Sequence, residues 1–229
     1  MKILSLIGAR GYLTLIMDRS KGPRRTGRNL SYSKVRETIQ TGDVMLFKGK
    51  GPLSWIIRKG SASDYSHCGI ASWEDERLMI YHSVFKGVGR APASEAVEKY
   101  DGQVDWWSVR PQYAPDLDRE AIVVEASKHV GKPFATFDLF KLMWLMLIGS
   151  YRGTPDPDNP PKAMFCSWYV SRSYRLGGPL DLVDGTEDAC TSPAMLQNSE
   201  LLMLRGILHD DPQGKLEDEP ATEPTRSSV

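Results

Sequence analysis

Apolar and polar positions alternate with a period of two along "SHCGIASW" and again along "LMIYHSVF", and the polar "EDER" between them predicts a β-hairpin. Two shorter apolar runs, "VMLFK" and "VDWWSVR", are of strand length. Helical spacing governs other stretches. "SYSKVRETIQTGD" begins with serine and ends in a Thr-Gly-Asp turn, "LSWIIRKG" predicts a helical turn or two, and "ASEAVEKY" a short helix. "DREAIVVEASKHV" is helical up to Gly131-Lys132-Pro133. In "FATFDLFKLMWLMLIGSY", Phe137, Phe140, Trp144 and Leu147 share one helical face, yet few polar positions remain elsewhere, so this segment must be buried on most sides or touch lipid. A loop with four prolines, "RGTPDPDNPPKAM", leads into "FCSWYVSRSYRLGG", a helix closed by Gly177 and Gly178. The chain shows no internal repeat.

Composition narrows the class. A chain of 229 residues, 41% hydrophobic and 25% charged, is globular and large enough for one domain with tails. The expected organisation is a basic and apolar N-terminal extension over 1–30, a folded domain over 31–208 and a disordered acidic tail over 209–229. A net charge of zero argues against nucleic acid as a partner. From Met1 to Arg36, however, Asp18 is the sole acid among nine cations. Three scattered cysteines, Cys68, Cys166 and Cys190, make no disulfide framework and fit a reducing compartment.

Arg10 interrupts the apolar start "MKILSLIGARGYLTLIM", no small-residue cleavage pattern follows, and the apolar run Leu142 to Ile148 is far short of a bilayer span. A cytoplasmic protein is expected. Peripheral membrane contact through 1–25 or 134–148 is compatible with these patterns.

Candidate chemistry begins with His67 in "DYSHCGI". An even-numbered hairpin connection, such as one pairing Trp73 with Glu76, sets His67 directly opposite His82, with Cβ atoms roughly 4.5 to 5.5 Å apart. An odd connection puts the two rings on opposite faces. Gly69 and Ala71 beside His67 leave room for a helix to approach. Cys166 opens its predicted helix, where unpaired N–H groups and the macrodipole favour a thiolate. If that helix covers the face holding His67, the three side chains form nucleophile, base and orienter: Cys166, His67 and His82. Cys68 then points to the opposite face and is structural, as is Cys190; His129 and His209 have no partner pattern. The same three residues could in principle hold zinc, but no Cys-x-x-Cys or His-Glu-x-x-His spacing supports a metal, and no cofactor is expected. "GKGKGP" lacks the ending of a phosphate loop.

"TGDVMLFKG", "DYSHCGIA", the polar residue fifteen positions after that histidine, "HVGKPF", "FCSWYVSRSY" and "TSPAMLQNS" occur in an order that resembles the YiiX-type group, circularly permuted relatives of the NlpC-type papain-like cysteine hydrolases. The resemblance covers Gly42 to Ser199 and implies an α+β, permuted papain-like fold: an antiparallel sheet packed against helices, the nucleophile helix among them. It implies Cys166 as nucleophile and His67 as base, with His82 at a third position that is commonly Glu. Phe134 stands where the group usually has tyrosine, which leaves the backbone N–H of Cys166 as oxyanion donor. Tyr65, Phe134 and Ser167 are expected to line the cleft. The implied activity is hydrolysis of an amide or ester through a thioester, on a peptide or an acyl lipid. The alternatives are an acyltransferase acting on lipids and a non-catalytic binding module of the same fold.

Overall fold

In the computed structural model, residues 27–60, 63–139 and 161–210 are described. Segment 1–25, whose pattern is compatible with peripheral membrane contact, most of the apolar segment 134–148 and the acidic tail beyond Asp210 lie outside them. Seven strands form one sheet: β1 (Asn29–Ser31), β2 (Val44–Gly49), β3 (His67–Glu74), β4 (Arg77–Val84), β5 (Gly87–Pro92), β6 (Gly102–Val109) and β7 (Leu202–His209). Their spatial order is β1-β7-β6-β2-β3-β4-β5. All neighbours are antiparallel except β1 and β7. The helices are α1 (Tyr32–Val35), α2 (Pro52–Gly60), α3 (Ala93–Lys99), α4 (Arg119–Ser127), α5 (Cys166–Gly177) and α6 (Pro193–Gln197).

The period-two pattern sorts side chains onto two faces. Val44, Leu46, Cys68, Ile70, Tyr81 and Trp107 point to one face, where α4 and α5 cover them. Met45, Phe47, Ala71, Ile80 and Trp106 point to the other, beneath Tyr32 of α1 and Ala93 of α3. β2 lies mid-sheet and is buried on both sides, which is why "VMLFK" is a continuous apolar run.

Asp43 fastens the start of β2 to its surroundings: its carboxylate accepts from Trp106 Nε1 at 2.7 Å and Arg119 Nη1 at 3.0 Å. Asp118 caps α4 by accepting from the Ala121 N–H at 2.9 Å. Gly177 has a packing reason beyond helix termination. A Cβ there would stand 2.3 Å from the Ala121 carbonyl oxygen, so the end of α5 can cross α4 closely only without a side chain.

β1, β5 and β7 were not among the expected strands. β1 draws Asn29 and Leu30 into the sheet, and β7 extends it to His209.

Candidate active site

The hairpin β3–β4 carries both histidines. Its connection is even-numbered, as the same-face arrangement requires, but the turn sits one residue later than the expected Trp73–Glu76 pairing: Glu74 pairs with Arg77 across Asp75 and Glu76. Asp75 takes the left-handed conformation at φ 53°, which closes this short turn. The register therefore moves by two residues, and the residue opposite His82 is Gly69, not His67. A two-residue shift preserves the face. The two imidazoles are diagonal neighbours, and His67 Nε2 lies 3.2 Å from His82 Nδ1.

Gly69 makes that diagonal contact available. A Cβ on it would lie 2.6 Å from Ile80 Cγ2, 2.8 Å from the Tyr81 carbonyl oxygen and 3.2 Å from His82 Cβ. The space that a side chain would fill is the space across which His82 leans. Gly69→Ala is expected to destabilise the protein by about 1–3 kcal/mol through overpacking against backbone. It should also separate the rings, which loss of the His–His contact in NMR imidazole shifts would report.

The helix α5 does not lie on the small-residue face with Gly69 and Ala71. It packs on the opposite face, over Cys68, Ile70 and Tyr81. The Cys166 sulfur still meets His67 because His67 is the first residue of β3 and Cys166 the first of α5, so the helix tip reaches the end of the strand. The thiol is hydrogen-bonded by the Cys68 side chain, the His67 ring and the Cys68 backbone. The Cys68 hydrogen bond contributes most, and together with His67 it holds Cys166 well below the ordinary thiol range despite burial. Cys68 moves the other way, raised by burial and by Cys166. Cys68 is thus in contact with the expected nucleophile, which its placement on the face away from His67 had concealed.

Burial, with the neighbouring His67 second, pushes His82 down to about 3. With His82 neutral, its Nδ1 is free to accept in the tautomer protonated at Nε2; His67 Nε2–H is then the donor and His67 Nδ1 the ring nitrogen left for the sulfur. The helix tip is anchored from three sides. Ser83 Oγ donates to the Met164 carbonyl at 2.6 Å, Ser167 Oγ to the Thr191 carbonyl at 2.6 Å, and Ser171 Oγ to Asp188 Oδ1 at 2.8 Å.

The residues expected to line a cleft are distributed otherwise. Ser167 is buried and turned toward Thr191. Tyr65 is also buried, its hydroxyl donating to Asp105 and its pKa raised chiefly by burial. Both are committed to internal packing. Phe134 is half-buried and packs against Phe85, the two rings tilted with centroids 4.8 Å apart. A phenol does stand near the thiol, but it is Tyr100: its hydroxyl is hydrogen-bonded to Ser66 and Ser54, and it feels the charges of Cys166 and Arg58. Burial above all keeps that phenol protonated. Nothing in its spacing marks it, since Tyr100 simply follows α3. Cys190 packs in an apolar cluster with Phe165. His129, read as unpartnered, contacts Glu125 Oε1 at 3.3 Å and Lys132 Nζ at 2.9 Å.

The fold is α+β and of the YiiX type: a seven-stranded sheet packed against helices, with the histidine strands preceding the cysteine helix along the chain. The chain is similar to the solved structure of metalloprotein yiiX from Escherichia coli O157:H7, with a TM-score of 0.53 and 16% identity over 72% of this chain and 96% of that one. No family model matches the chain. No curated protein matches it either. The word metalloprotein describes that neighbour; among the described residues of this chain, no group of three His, Cys, Asp or Glu side chains is placed to hold an ion. Among the described residues, no helix is long and apolar enough to cross a membrane.

Proposed function

We propose that the protein is a cysteine hydrolase that cleaves an amide or ester bond through a thioester acyl-enzyme. The observation that carries this reading is the continuous contact from Cys166 to His67 to His82, with the thiol depressed and the far imidazole neutral. His67 Nδ1 takes the thiol proton. The Cys166 sulfur attacks the carbonyl carbon, and the backbone N–H at the tip of α5 faces the oxyanion that forms. Collapse breaks the bond to the amine or alkoxide, which leaves with the proton from His67. Water, deprotonated by His67, then attacks the thioester and releases the acid. Throughout, His82 Nδ1 accepts from His67 Nε2–H, whether His67 is neutral or charged, and so fixes the ring.

The substrate class is a peptide amide or an acyl lipid. Partial alkylation with iodoacetamide at mildly acidic pH should label Cys166 first, because its thiol is depressed while that of Cys68 is raised. Panels of lipid esters, N-acyl amides and muropeptides should then yield an acyl adduct on Cys166 by mass spectrometry. Preferential labelling of Cys68, or no adduct from any panel, would overturn the assignment.

A further inference from the structure

The apolar side of α2 points outward. Pro52, Trp55, Ile56 and Lys59 follow the spacing of one helical face, and all four are exposed, Trp55 at 55% and Ile56 at 42%. Ser54, Ile57 and Arg58 turn inward instead. A helix that only served the core would reverse this and bury its tryptophan. Charge around the face has one sign. Between Val44 and Ser63 there are four cations, Lys48, Lys50, Arg58 and Lys59, and no acid. One of them, Lys48, spends part of its charge on Asp64 at 3.5 Å. A second exposed aromatic lies nearby in the packing: Ile57 joins the cluster of Ala135 and Leu139, and Phe137 on that same helical turn is 90% exposed.

We propose that α2 and the basic turn before it form a docking surface for a bilayer containing anionic phospholipid. Trp55 and Ile56 enter the boundary between headgroups and acyl chains, and the exposed Lys50 and Lys59 meet the phosphates. An aromatic and an aliphatic residue ringed by cations suit that boundary, where one end of each group is apolar and the other wet. A protein groove would match the apolar pair but would need an acidic rim of its own to match the cations. Docking needs no chemistry at Cys166 and stands apart from the proposed hydrolysis.

The test is flotation of the full chain with vesicles of phosphatidylcholine, with and without phosphatidylglycerol, at low and high salt. Wild type should bind the anionic vesicles, and high salt should weaken binding by about tenfold or more. Trp55→Ser with Ile56→Ser, and separately Lys50→Gln with Lys59→Gln, should each weaken it by about tenfold or more. All four side chains are exposed, so the thermal midpoint should stay within a few degrees of wild type. Wild type that ignores anionic vesicles, binds neutral ones equally well, or binds unchanged in both variants would overturn the proposal. So would conversion of a dimer to a monomer by the Trp55 and Ile56 changes without any change in vesicle binding, since a second copy would then be the occupant.

Discussion

Cys166→Ala should lower turnover of a cleaved amide or ester by about a thousandfold or more and abolish the acyl adduct, and His67→Ala should cost about as much. The two changes should not multiply. A nucleophile without its base and a base without its nucleophile leave the same residual catalysis, that of the helix tip and of binding alone, so the double variant should resemble either single one. This non-additivity is the sharpest kinetic signature of a pair acting as a unit. Cys68→Ala is the informative companion: it removes the side-chain hydrogen bond that contributes most to the depressed Cys166 thiol while leaving His67 in place. It should therefore slow alkylation of Cys166 at low pH much more than at high pH. Steady-state rates with a substrate identified from the panels, and alkylation rates across pH, measure both effects. Turnover that survives Cys166→Ala would remove the nucleophile from the proposal altogether.

The histidine hairpin was legible because alternation and the parity of the turn decide which face a side chain takes, and both survive a register error of two residues. The register itself was not legible. "EDER" contains no Gly or Asn to mark a tight turn, and Asp75, which tolerates a positive φ, is only a weak marker of where the turn falls. The same face logic then misplaced the helix. Gly69 and Ala71 read as a bed for α5, whereas Gly69 makes room for Ile80 and His82, and α5 lies across the sheet over Cys68. Convergence of thiol and imidazole comes from both standing at the first position of their elements, a property of element ends that face periodicity does not encode. β5 went unseen because "GVGRAP" has turn composition. In β7, Gly206 looks like a strand breaker, yet a Cβ there would stand 2.3 Å from Leu30 Cδ1, so the glycine admits the parallel strand β1.

His82 should make the protein acid-labile through a mechanism separable from catalysis. In the unfolded chain its imidazole titrates near an ordinary value of about 6.5, whereas in the fold burial and His67 push it down to about 3. Between those values the unfolded state holds a proton that the folded state refuses. Stability contributed by this site is therefore complete above about pH 6.5 and falls as pH falls toward 3, by on the order of a few kcal/mol across the window. His82→Gln removes the titration, so its unfolding midpoint in urea should change less between neutral and mildly acidic pH than that of wild type. The amide oxygen of glutamine can still accept from His67 Nε2–H, so that variant should keep much of the activity, while His82→Leu, with no acceptor, should lose more, by about ten- to a hundredfold. Because His82 stays neutral in the fold down to about 3, the kcat/KM profile of wild type should show no ionisation attributable to it at ordinary assay pH. A wild-type protein whose urea midpoint is as flat with pH as that of His82→Gln would mean that this imidazole takes up its proton in the fold as readily as in the unfolded chain. Below about pH 6.5 it would then donate at both nitrogens, and His67 would lose the acceptor that orients it.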